Sequence, residues 1–179
     1  MEHYGIGMEE AVGRIERQGE LGDLAQSLEQ KLGGLWAGCY IDQADGGRLV
    51  ILSTDVAAAR TVVVAVPSEL REFVVVRAAK HSAAELAAEQ ARIRGILRSE
   101  QIAPVQIGPD TARNELIVGI YQSVPPADEG GSPESIRDRV AMVLREADSF
   151  ALVEMLDHGP PRFMGGPVVS RNPSDDCGS

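Results

Sequence analysis

The stretch from Leu35 to Thr54 leaves this chain the least freedom. It reads L-W-A-G-C-Y-I-D-Q-A-D-G-G-R-L-V-I-L-S-T. Tyr40 and Ile41 lead into a turn segment, Asp42 to Gly47, and Leu49, Val50, Ile51 and Leu52 lead out of it. Asp45-Gly46 supplies the positive φ values that a tight hairpin turn requires, so two antiparallel strands are expected here. Trp36, the only tryptophan, is the largest apolar side chain available to fix the hairpin on whatever packs beneath it.

The pattern recurs about 65 residues later, which points to a duplicated unit. Val105-Gln106-Ile107 leads into Pro109 to Asn114, and Leu116 to Ile120 leads out. In both copies an aspartate, Asp42 or Asp110, follows the first strand, and an aliphatic run forms the second. The Ala/Val run Val56 to Val66 follows the first hairpin, then a strand signal, Phe73 to Arg77. A helix signal, Pro133 to Glu146, follows the second, then a strand signal, Phe150 to Met155. Val62, Val63, Val64 and Val66 favour strand by propensity. Asp55 can cap a helix there, and the repeat requires one, so we read Val56 to Val66 as helix ended by Pro67. The expected fold class is α+β: N-terminal helices, then two β-β-α-β units with small antiparallel sheets, joined by a helix.

Residues 1–34 form the helical lead-in. Met8, Val12 and Ile15 share one face, while Leu21, Leu24, Leu28 and Leu32 recur at helical spacing. Gly19 and Gly22 weaken the middle, so either two helices or one with a soft joint is expected, stopped by Gly33-Gly34. The first unit with its connecting helix spans 35–99. In it Ser82 and Glu85 stand at capping-box spacing and open a helix running to about Ser99. The second unit spans 100–157, with Ser132 and Pro133 opening its helix and Ile136, Val140, Val143 and Ala147 on one face. From residue 158 the chain is rich in proline and glycine without an amphipathic period, the composition of a tail.

Composition narrows the function. The net charge of −10 disfavours a nucleic-acid or anionic-membrane partner, since both need a basic face. No run of 18 apolar residues is present to span a bilayer. The N-terminus shows neither a basic nor an apolar region of the kind a secretion signal carries. Cys39 and Cys177 form neither a disulfide framework nor a metal motif. His3, His81 and His158 stand near no nucleophile in sequence, and a Cys39–His81 dyad competes with the simpler reading of a strand cysteine as inert core. Asp42 and Asp110 invite a carboxylate-pair reading, but turn chemistry explains each alone. No phosphate-binding, dinucleotide, zinc-protease or nucleophile-elbow motif occurs. The residues point to an α/β chain with no catalytic, cofactor or metal site.

Three stretches resemble the pro-region of secreted actinobacterial chymotrypsin-like serine proteases of the streptogrisin and alpha-lytic protease type. The first is Leu24 to Glu29 leading into Leu35 to Asp42 and Gly47 to Val50. The second is His81-Ser82-Ala83-Ala84-Glu85-Leu86. The third is Asp110 to Val118, similar to a V-D-x-x-x-N-x-V-x-V pattern. Cys39-Tyr40 departs from the aromatic-containing pair usual in the first motif. Phe163-Met164-Gly165-Gly166 with Cys177 resembles the start of a mature protease domain.

The resemblance implies an intramolecular chaperone and inhibitor of a cognate chymotrypsin-like serine protease, itself non-catalytic and secreted. The alternative is a stand-alone protein-binding module of the same fold, with a cytoplasmic location in the absence of a visible signal. Partner contact is expected along Phe150, Leu152, Val153 and Met155, with processing near Arg162 or Phe163.

Overall fold

The structure, a computed structural model, describes residues 7–102, 106–121 and 132–156. Residues 8–32 form one unbroken helix, α1 (Met8–Leu32). Its continuity through Gly19 and Gly22 comes from tertiary packing. Leu21, Ala25, Leu28 and Leu32 bury one face, and that burial outweighs the cost of about 1 kcal/mol that each glycine adds. Gly33 ends the helix at φ +53°, its N–H donating to the Glu29 carbonyl.

The hairpin follows as β1 (Trp36–Asp42) and β2 (Arg48–Ser53), antiparallel, with Gly46 and Gly47 at positive φ in the turn. The Asp42 carboxylate accepts from the Asp45 amide at 3.2 Å, so this aspartate serves the turn. Helix α2 (Val56–Val64) forms where strand propensity competed with a cap. The Asp55 carboxylate accepts from the Ala58 amide at 3.0 Å, and Ala59 and Val63 are buried. Pro67 leads into a four-residue helix, α3 (Ser68–Arg71), that the sequence reading did not anticipate. Strand β3 (Val74–Ala78) then pairs with β2 in parallel.

The second unit repeats this order. Helix α4 (Ala83–Ser99) opens with the full capping box of Ser82 and Glu85. Strands β4 (Gln106–Asp110) and β5 (Glu115–Tyr121) form the second hairpin, in which the Asp110 carboxylate accepts from the Arg113 amide at 3.1 Å. Helix α5 (Pro133–Glu146), capped by Ser132, leads to β6 (Leu152–Leu156), again parallel to its neighbour. The expectation of antiparallel sheets is therefore corrected. Each three-stranded sheet is mixed, because the helix between the second and third strands returns the chain to the end from which the second strand started.

Each unit has its own core. In the first, α1 and α2 pack on one sheet face through Leu21, Leu28, Trp36, Leu49, Ile51 and Val63. The opposite face is also covered, so all of β2 from Leu49 to Ser53 is buried. In the second, α4 and α5 pack on one face of the sheet through Ile93, Leu97, Leu116, Val118, Ile120 and Val140.

The units meet at one buried side chain. Asn114, 5% exposed and at φ +52°, sits at the tip of the second hairpin. Its Oδ1 accepts from the amides of Lys80 and His81, both at 2.8 Å, and its Nδ2 donates to the His81 carbonyl at 2.8 Å. Beside it, a Cβ on Gly38 of β1 would come within 2.9 Å of Thr111, so the second hairpin seats directly on the first sheet's backbone. Asn114→Ala is expected to cost about 3 kcal/mol, since buried polar groups left unpaired cost about 1–3 kcal/mol each and some regain water. Asn114→Asp keeps the acceptor for both amides but turns a carboxylate oxygen onto the His81 carbonyl, so it too is expected to destabilise the chain, and less so at low pH, where a protonated carboxyl can donate to that carbonyl. Chemical denaturation of the two variants at neutral and low pH checks this, and an Asn114→Asp loss that does not shrink relative to Asn114→Ala on acidification would contradict the assigned bonds.

Candidate partner-binding edge

Strand β6 lies at the margin of the second sheet, whose order is β4-β5-β6, so one side of its backbone has no strand partner among the described residues. The other margin, β4, contains Gly108 and Pro109, and proline removes a donor and blunts an edge. Strand β6 has neither residue. Its one charge, Glu154, accepts from Arg113 at 2.8 Å across the sheet surface and so is directed back onto its own fold. Leu156 lies over Gly119, where any larger residue would collide with it. The glycine in β5 thus lets the last residue of β6 close down on the sheet.

Strand alternation sorts the four residues expected to touch a partner. Val153 and Met155 pack on the second core, on the face of Val118 and Ile120, so they offer backbone and little side chain. Leu152 points to the open face, 39% exposed, beside Ile117. Phe150 precedes the strand. Its ring stacks on His81, with centroids 4.0 Å apart and planes 7° from parallel, which ties the entry of β6 to the joint between the units. Arg162 and Phe163, expected at the processed bond, lie outside the described residues, as does Cys177.

The sheet's open surface carries one charge cluster that sequence reading passed over. Arg113 pairs with Glu154 at 2.8 Å, Glu115 at 2.9 Å and Asp110 at 3.9 Å. The Glu154 hydrogen bond, with the Glu115 charge, holds the guanidinium still more firmly protonated. The residues come from the hairpin turn, β5 and β6, which are adjacent only once the parallel strand is in place. No local spacing announces them.

Cys39 and His81 form no dyad. Cys39 packs into the first core, while the His81 ring lies on Phe150. Burial, and secondarily the Glu29 charge, pushes the Cys39 thiol up to about 11, the reverse of what a nucleophile needs. No helix among the described residues is long and apolar enough to cross a membrane.

Residues 9–65, which span α1, the first hairpin and α2, match the alpha-lytic protease pro N-terminal family. The match covers the first of the three stretches that resemble such pro-regions and is consistent with a pro-region of chymotrypsin-like proteases. No curated protein matches the chain.

The raised thiol has a direct readout. At pH 8 the shift from 9.0 to about 11 leaves roughly a hundredfold less thiolate. Alkylation of Cys39 followed by peptide mass spectrometry is therefore expected to be about a hundredfold slower in the native chain than in the denatured one. Labelling at the rate of a free thiol would reopen a nucleophilic role.

Proposed function

We propose that this chain is a pro-domain that binds its cognate chymotrypsin-like serine protease, assists its folding and inhibits it, without being catalytic itself. The observation that carries this reading is the unblunted β6 edge, on a chain whose N-terminal part matches the alpha-lytic protease pro N-terminal family. A protease built of two β-barrels is dominated by contacts distant in sequence, so its folding barrier is high. A preformed strand edge lowers that barrier by pairing with a hairpin of the half-assembled barrel, as in other cases of strand addition. Backbone pairing suits β6, because Val153 and Met155 are committed to the core and Leu152 is the side chain free to pack on a partner.

Residues 157–179 continue directly from this strand. Edge pairing would aim them at the protease cleft, with Pro160-Pro161-Arg162-Phe163 entering as a substrate-like peptide. Secretion with the protease accompanies this role. The edge and the tail thus have separate tasks: the edge supplies recognition, and the tail occludes the active site.

The test uses the cognate protease and chains ending at Leu156 or Arg162. Both are expected to raise the yield of active protease on dilution from denaturant, since both keep β6. The chain ending at Arg162 is expected to inhibit at least tenfold more tightly, because it alone reaches the cleft. Equal inhibition would remove the tail from the mechanism. Failure of both chains to improve refolding would refute the chaperone role.

A further inference from the structure

The hydrogen bonds of the first sheet fix which way each residue of its third strand faces. The Leu49 amide donates to the Phe73 carbonyl at 2.8 Å, and the Ala79 amide donates to the Ser53 carbonyl at 2.9 Å. Successive residues of a strand present their N–H and C=O to alternate sides. Phe73, Val75, Arg77 and Ala79 therefore bond inward to β2. Val74 and Val76, whose side chains pack on the first core, turn their N–H and C=O outward.

The second sheet carries the same register. Each third strand arrives by a helix crossover on the core face, a connection that is right-handed. For L-residues that handedness ties the side-chain face to the side on which the backbone bonds. Val153 and Met155 pack on the second core as Val74 and Val76 pack on the first, so their N–H and C=O point away from β5. Leu152, Glu154 and Leu156 bond inward to β5. Ala151 shares the outward side, but its amide already donates to Ser149 Oγ at 3.2 Å, and that hydroxyl is held by the buried carboxylate of Glu89. The open donors of the edge thus begin at Val153.

We infer that the protease strand added to this edge bonds to the N–H and C=O of Val153 and Met155, with apolar residues beside these two and a basic residue beside Glu154. The inference rests on the reading of β6 as the partner edge of a pro-domain, and it adds to that reading the bonding groups and the chemistry of the incoming strand.

Neighbouring residues on adjacent strands place their side chains on the same face, whichever way the incoming strand runs. Residues beside Val153 and Met155 therefore extend the second core, where apolar side chains are favoured. The residue beside Glu154 lies on the open face. There the one guanidinium of Arg113 faces three carboxylates, those of Asp110, Glu115 and Glu154, so two negative charges are left over. A lysine or arginine at that place is attracted, and a carboxylate is repelled.

The test titrates the full chain against its cognate protease domain, inactivated at the nucleophile, with single backbone amides replaced by esters. Replacing Val153 by α-hydroxyvaline removes one outward N–H and keeps the side chain. It is expected to weaken binding about fivefold and to leave the free chain's denaturation midpoint in place. The same replacement of Val76, equally outward but on β3, is expected to leave binding unchanged. Replacing Leu152 by α-hydroxyleucine is expected to lower the free chain's midpoint, because that N–H bonds to β5. Glu154→Gln is expected to weaken binding about threefold at low salt and to have no effect at about 0.5 M salt. A free chain destabilised by the ester at Val153 overturns the register. Binding unchanged by that ester, or weakened by the one at Val76 instead, overturns the assigned contact, while binding of the native chain upholds the pro-domain reading. Binding by Glu154→Gln at or above the native strength overturns the basic neighbour. A native chain that does not bind the protease overturns the reading and the inference together.

Discussion

The arrangement of this molecule depends on the side chain of Asn114. Two units of the same plan, each able to bury its own helices against its own sheet, have no inherent reason to hold a fixed relation. Asn114 supplies one. It closes three hydrogen bonds with the backbone of Lys80 and His81, the last two residues before the cap of α4. Because Ser82 then fixes where α4 begins, the clamp sets both the position of the second hairpin and the start of the helix that forms its core. The stacking of Phe150 on His81 extends the same joint to the entry of β6. The candidate partner edge and the joint between the units are therefore linked through one dipeptide, Lys80-His81.

Local chemistry made much of the fold legible. The aspartates that end β1 and β4 read correctly as turn residues, since each accepts from an amide three positions on. Asp55, Ser82 and Ser132 read correctly as helix caps. The Ala/Val run from Val56 was settled by Asp55 and the repeat against the strand propensity of its valines. The class α+β with two hairpin-helix-strand units follows from these signals alone. The parallel third strand was implicit in the same order, because a helix crossover between neighbouring strands forces it. The antiparallel expectation carried the hairpin pairing one strand too far.

What stayed hidden was set by tertiary contact. Asn114 offers an ordinary reason for its presence, a turn position at positive φ. Its amide finds its partners 33 and 34 residues away, and no spacing in the chain encodes that. The Arg113 cluster is of the same kind. The faces of the residues expected to touch a partner were legible: alternation in Leu152 to Met155 already separates Leu152 from Val153 and Met155. The clamp on Lys80-His81 and the stack of His81 on Phe150 are invisible in one dimension, and they turn two residues of unremarkable composition into the pivot of the molecule.

The duplication is structural, and the two copies have diverged in how their sheets are covered. In the first unit both faces of the central strand are buried, so the sheet is an interior element. In the second, only the face toward α4 and α5 is fully buried. On the other side Ile117, Tyr121, Leu152 and Leu156 remain partly open around the Arg113 cluster. A sheet covered on one face and, among the described residues, without a strand partner along one edge can accept another strand without rearranging its core. The first sheet does not offer the same combination, because the second hairpin already sits on its far face at Gly38 through Thr111. The seating that covers the first sheet at Gly38 leaves the second sheet's Arg113 face open among the described residues. The two copies of one motif thereby take different tasks, the first as platform and the second as candidate binding unit.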